Sequence, residues 1–543
     1  MIKYDLSKMT LRDKIGQLAM FGFDGTTVTD DLINMVKKYK LGNVILFARN
    51  IKTPEQLYNL TKNIQKLAIE EIGFPMFISI DQEGGMVTRI FNGATFFPGA
   101  MTISATNNPN NAYEVGKAMG IELDALGINM NLAPVYDVNN NPNNPVIGVR
   151  SFSDKPDVVS EYANSFMKGL QEQNVFATAK HFPGHGDTNI DSHLGLPIIN
   201  HDLKRLNEIE FKPFISAINN GIKAIMSTHI NFTKLTNDGY PATLSKDIMT
   251  GLLREKFGFE GLIVSDGMGM KGVVDKYTTE EACVLAIKAG INLICVCHSH
   301  EPRHETFETI YRAVEEGRIT IDEIDERVKR VLEAKKEINI KNIDNEYETV
   351  KKNIENTEHQ KLAYSLVENA ITLVKGNPFN LKEKTLYIGI IPRALTIADD
   401  DIKISKLLNP IYNIKNLDVI IADINPDYKQ IEELVSTCNK YNQIIFTTYN
   451  SNTNIGQINL IESISELKKD FHVVSLRNPY DLYYTKSIMN YVCLYEYTPN
   501  SIKVLSKYLK GEISLNGRIP IKYEWFNYWN WWRRNKNLSC SLG

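Results

Sequence analysis

Eight short apolar segments alternate with amphipathic helical ones over residues 1–338, and this repeated alternation constrains the fold more than any other feature of the chain. The strand segments fall at 15–23, 43–48, 77–81, 129–135, 176–181, 224–229, 262–266 and 292–296. Eight units point to a closed (β/α)8 barrel, because an open α/β sheet is free to stop at other counts. Helices are expected between them, for instance at 53–72, 114–126, 158–173 and 245–257, the last capped by Ser245 or Thr243. One long polar helix over 303–338 would close the barrel, with Arg312, Glu315, Glu316, Arg327 and Lys329 on exposed faces. Asp81, His181, His229 and Asp266 stand at C-terminal strand ends, the rim where barrel enzymes carry out chemistry.

After the barrel comes a polar, asparagine-rich stretch, 339–358, which reads as a linker. A second, smaller α/β sandwich domain is expected over 359–522, with strands at 370–374, 385–391, 417–422, 443–447 and 471–476. The tail, 523–543, holds all four tryptophans, Trp525, Trp529, Trp531 and Trp532. It reads as a disordered extension past the end of that domain rather than a sugar-stacking patch.

The formal net charge of -3 gives no reason to expect a nucleic-acid or membrane partner. The N-terminal residues lack a signal-peptide core, and no stretch approaches the ~18 apolar residues of a membrane span. A cytoplasmic location is therefore the expectation. Six scattered cysteines fit reduced thiols. Cys295 and Cys297, followed by His298, His300 and His304, lack the second pair of a tetrahedral site, so neither a metal nor another cofactor is expected.

The richest cluster is Ala179-Lys180-His181-Phe182-Pro183-Gly184-His185-Gly186-Asp187-Thr188, followed by Asp191-Ser192-His193. Charged and imidazole groups follow directly on an apolar strand, and Gly184 and Gly186 suggest a mobile loop. In an extended segment Asp191 and His193 point the same way, so the carboxylate can raise and orient the imidazole for proton transfer. Asp266, next to Gly267 at the end of a buried strand, is placed to attack an anomeric carbon. Asp81 heads the Asp-Gln-Glu-Gly-Gly turn and could accept from sugar hydroxyls, while Arg89 and Arg150 put cations on rim loops. No Gly-x-Ser-x-Gly elbow accompanies them.

Together these motifs resemble glycoside hydrolase family 3, and within it the β-N-acetylglucosaminidases, which carry the same histidine loop. The resemblance implies Asp266 as nucleophile, His193 as general acid/base and Asp191 as its partner. Asp81, Arg89, Arg150, Lys180 and His181 would hold a terminal N-acetylglucosamine, with His229 and Met226 behind them or at the rim. It also implies a small glycan substrate, with cell-wall disaccharides or muropeptides expected from the lack of a signal peptide, and no cofactor. The C-terminal part is similar to the family's second α/β domain, in a shortened form. Two alternatives stay open: a phosphorylase of the same family, since a histidine acid/base repels phosphate less than a carboxylate would, and a non-catalytic glycan-binding protein.

Overall fold

The computed structural model describes residues 4–189, 191–192, 194–298, 300–340, 344–354, 356–390 and 408–523. Eight parallel strands close a barrel in sequential order: β1 (Ala19–Phe21), β2 (Asn43–Leu46), β3 (Phe77–Ile80), β4 (Met130–Asn131), β5 (Phe176–Phe182), β6 (Ala224–Ser227), β7 (Leu262–Gly267) and β8 (Leu293–Val296). Helices cover the barrel, so its strands are buried on both faces and read as continuous apolar runs.

Asparagines stand at or just before the start of several of these strands and extend the ladder with their side chains. The amide oxygens of Asn43, Asn129 and Asn292 accept from the backbone N–H groups of Phe77, Ile78 and Ile263. β4 is shorter than the 129–135 expected. Pro134 has no N–H to donate, and the segment continues through single bonds such as Leu132 N to Ile80 O and Tyr136 N to Lys180 O.

Two further expectations are corrected. Residues 15–18 belong to a helix, Leu11–Leu18, which starts at a reciprocal cap between Thr10 and Asp13, so β1 begins only at Ala19. The helix expected over 303–338 is two, Arg303–Glu315 and Ile321–Lys335. Gly317, at φ 72°, turns the chain between them, and Thr320 caps the second with Glu323. Arg327 is buried rather than exposed, and its Nε donates to the Ile287 carbonyl.

The stretch expected as linker holds a helix, Tyr347–Ile354, whose Tyr347, Val350 and Ile354 pack into the barrel core. Their spacing of three and four residues places them on one face, so few apolar residues suffice. The helix Thr357–Ala370 then leads to a six-stranded sheet. Its strands are β9 (Thr372–Lys375), β10 (Thr385–Ile390), β11 (Leu417–Ala422), β12 (Gln443–Thr448), β13 (Asp470–Ser475) and β14 (Asn490–Cys493), in the order β9-β14-β13-β12-β10-β11. Only β9 runs antiparallel to its neighbour. β14 is not among the strands expected from the sequence. The tryptophans of the tail lie outside the described residues. Among those residues, no helix is long and apolar enough to cross a membrane.

The sheet domain docks on the rim loops of the barrel. Met86, Met101, Ala105 and Val149 belong to the barrel by sequence but are buried in the core of the sheet domain.

Candidate active site

A cavity of about 480 Å³ opens at the C-terminal ends of the barrel strands. Its described wall is built from barrel residues, and Asp81, Arg89, Arg150, Lys180, His181, Met226 and Asp266 all reach it. Strand ends converge there because every strand is parallel, so residues distant in sequence meet at one rim.

Five charged side chains form a chain of contacts on one side. Lys180, at the end of β5, places Nζ 2.8 Å from Asp81 Oδ1 and 2.7 Å from Glu83 Oε1. Arg150 grips Glu83 with two bonds, Nε to Oε2 at 2.9 Å and Nη2 to Oε1 at 2.7 Å. Arg89 Nη2 lies 3.7 Å from Asp81 Oδ2. Burial would push the Glu83 carboxyl up, but the Arg150 and Lys180 charges hold it well below the usual carboxylate range. Burial likewise opposes the Lys180 charge, and Asp81 and Glu83 outweigh it, so its pKa is raised. Glu83 and Lys180 thus favour their charged forms and are fixed in place, as hydroxyl recognition requires. Asp81 remains partly exposed, leaving carboxylate surface for a ligand.

The histidine loop is organised by a residue the sequence reading passed over. Asp137, fully buried beyond β4, accepts from His181 Nδ1 at 2.7 Å and from the His185 backbone N–H at 2.7 Å. Burial pushes Asp137 up, and the two histidines override it, so its pKa is lowered. With Nδ1 engaged, His181 keeps Nε2 for the cavity. His185 sits between Thr188 Oγ1, 3.0 Å from Nδ1, and Ser192 Oγ, 3.1 Å from Nε2. Burial, then the neighbouring His181, bring the His185 pKa down to about 4, so it is neutral at physiological pH. Gly186 packs against the Val138 carbonyl, which a Cβ would overlap. Its glycine serves close approach rather than the mobility expected of it.

Asp191 is buried, and Ser192 is held twice: its hydroxyl meets His185, and its carbonyl accepts from Gly272 N at 3.0 Å. His193 lies outside the described residues, so the contact expected between it and Asp191 does too. Across the cavity, Asp266 stands half-buried at the end of β7 and accepts from Gly267 N at 2.8 Å. His229 is fully buried behind it, with Nε2 3.0 Å from the Gly267 carbonyl and Nδ1 2.9 Å from Thr243 Oγ1. This anchors the backbone next to the carboxylate.

Sequence reasoning missed Glu83, Asp137, His185 and Ser192 as site components. Glu83 and Asp137 did carry a signal, each being an acid two residues beyond an expected strand segment, 77–81 and 129–135. Among the described residues, Asp187, His201 and Glu210 could bring one donor atom each within 4.8 Å of one another, as a metal would need. Arg205 already stands in that group, 2.6 Å from Glu210, and supplies its positive charge.

Residues 10–334 match the family model described as the glycosyl hydrolase family 3 N-terminal domain. The chain is 40% identical over 284 residues to β-hexosaminidase A of Pseudoalteromonas piscicida, covering 49% of this chain and 48% of that one. It thus spans about half the length of that relative. With the β-hexosaminidase of Idiomarina loihiensis it shares 33% identity over 283 residues, 51% of this chain and 83% of the other. A solved family 3 β-N-acetylglucosaminidase from Paenibacillus sp. str. FPU-7 superposes with a TM-score of 0.87 at 33% identity, covering 95% of this chain and 99% of that one. The second domain is therefore not shortened relative to that structure.

Proposed function

The chain belongs to glycosyl hydrolase family 3, and from that premise we propose that it removes terminal β-linked N-acetylglucosamine through a covalent glycosyl-enzyme intermediate. The observation that carries the reading is Asp266, a half-exposed carboxylate across the cavity from the fixed charges of Asp81, Glu83, Arg150 and Lys180. Fold alone would not assign an activity; the site must. The names of the similar β-hexosaminidases and of the Paenibacillus β-N-acetylglucosaminidase support the choice of sugar.

In this reading the charged side of the cavity holds the sugar hydroxyls. Asp266 attacks the anomeric carbon, and His193, oriented by Asp191, protonates the departing glycosidic oxygen. A water then attacks the same carbon, His193 takes its proton, and Asp266 is released with the configuration retained. Because both histidine roles need one imidazole to gain and lose a proton, a carboxylate partner beside it fits the cycle. Cell-wall disaccharides and muropeptides are the proposed natural substrates, and the cell interior the proposed location.

A mechanism-based fluorinated N-acetylglucosamine donor tests the assignment. It should label Asp266 and block turnover of an aryl N-acetylglucosaminide. Labelling at another carboxylate would move the nucleophile, and preference for plain glucosides would sink the proposed substrate.

A further inference from the structure

We infer that Glu496 is a positioning residue that works from the second domain, clamping the turn that carries Glu83 and so fixing the sugar-binding charges without touching the sugar. Glu496 follows β14 and is buried. Its Oε2 accepts from Gly99 N at 2.9 Å and from Thr102 Oγ1 at 2.7 Å, both on the barrel side, and its Oε1 accepts from Thr498 Oγ1 at 2.7 Å. It does not line the cavity, and both of its oxygens are occupied by neutral donors. A carboxylate taken out of water into three such bonds is an expensive way to fill space, which points to a role in holding the barrel loop.

That loop is the one that presents Glu83. Glu83 N and Gly84 N both donate to the Val87 carbonyl, closing a tight turn. Gly85, at φ 56°, backs directly onto Gly99, where an added Cβ would lie 2.8 Å from Gly99 Cα and 3.3 Å from Glu496 Oε2. The next residue, Met86, inserts into the core of the sheet domain, and Tyr497 N donates to its sulfur at 3.4 Å. Glu496 and Tyr497 thus hold the turn from two sides.

The partner of Glu83 is held by the same domain. Asn139 donates through Nδ2 to Tyr480 Oη at 2.7 Å and accepts from Gly148 N at 3.0 Å, two residues before Arg150. Asn478 Oδ1 would lie 2.7 Å from a Cβ at Gly148, whose φ is 47°. Both ends of the Glu83–Arg150 pair therefore rest on the sheet domain, and misplacement by even an ångström would loosen sugar binding.

The inference rests on the cavity being the N-acetylglucosamine site, so turnover of an aryl N-acetylglucosaminide by the wild-type protein checks that reading first. Glu496→Ala should then raise KM about ten-fold while kcat stays within about three-fold, since the clamp serves ground state and transition state alike. Glu496→Gln keeps an acceptor for Gly99 and Thr102 and can donate to Thr498, so it should stay within about two-fold of wild type. Thr102→Val removes one donor from the barrel side. It should raise KM in the same way and be non-additive with Glu496→Ala. It also serves as the test if the alanine variant fails to fold. Amide hydrogen exchange over residues 84–102 should quicken in the weakened variants whatever the substrate. Unchanged KM and unchanged exchange in Glu496→Ala or Thr102→Val would overturn the clamp. So would a kcat loss in Glu496→Ala that added azide restores, because that marks a group doing chemistry. An inert wild type would count against the activity, and hydrogen exchange would still decide the clamp.

Discussion

Arg150 meets Glu83 edge to edge, its Nε and Nη2 each hydrogen-bonded to a different oxygen of the carboxylate, at 2.9 and 2.7 Å, in a setting where both side chains are buried. Paired ions in that geometry are strong while complete and costly when one member is lost. Lys180 shares Glu83 Oε1 with Arg150 Nη2, so one carboxylate bridges two cations at the cavity wall, and Asp81 supplies the second negative charge.

Glu83→Gln keeps the shape and removes the charge, leaving Lys180 and Arg150 with Asp81 as the remaining nearby anion. The variant should lose about 3–5 kcal/mol of stability, the usual cost of breaking a buried ion pair, and its KM should rise more than its kcat falls. The folded pKa of Glu83 is depressed, so its contribution is present above the unfolded value near 4.3 and lost as pH falls through the folded value. Denaturant melts should show a constant gap between wild type and variant above about pH 5, narrowing only in stronger acid.

His185 also costs stability on acidification, but over a higher pH window than Glu83. Its folded pKa of about 4 lies below the ordinary histidine value, so between these the unfolded chain binds a proton that the folded chain does not. Stability therefore falls as pH drops from about 6.5 towards 4, by up to about 3 kcal/mol from this group. His185→Gln should be less stable at neutral pH, because the links to Ser192 and Thr188 weaken. Its stability should nonetheless fall less steeply over that window, and parallel slopes would refute the assignment.

Two histidines next to carboxylates compete for the proton-transfer role, His193 by its spacing from Asp191 and His181 by its bond to Asp137. An aryl leaving group departs without protonation, whereas a sugar alcohol needs it. His193→Ala should lose far more activity on a disaccharide than on nitrophenyl N-acetylglucosaminide, with a burst as deglycosylation slows. His181→Ala should lose sugar binding on both substrates alike. A reversal of these two patterns would transfer the role to His181.

The acceptor of the second step is read by product analysis. With water as acceptor, added phosphate should leave free N-acetylglucosamine as the product of an aryl N-acetylglucosaminide. Accumulation of N-acetylglucosamine 1-phosphate would instead make the chain a phosphorylase, built on the same nucleophile.

The sequence by itself determined the barrel, because eight apolar strand segments separated by helices have few ways to bury their faces, and strand ends carrying Asp81, His181 and Asp266 then have to share a rim. It also proposed the catalytic groups, through the local spacing of Asp191 and His193 and through resemblance. What pairs with what was decided only by tertiary structure. Asp137 reaches His181 across 44 positions of the chain, Arg150 reaches Glu83 across 67, and Glu496 reaches Thr102 across 394. Periodicity reports which face of an element is buried, not which distant loop comes to lie against it. For the same reason the sequence left the second domain without a role at the site. Its contacts there run through Glu496, Tyr497, Tyr480 and Asn478, none of which stands in a motif, and only the docked fold brings them to the turns that hold the charges.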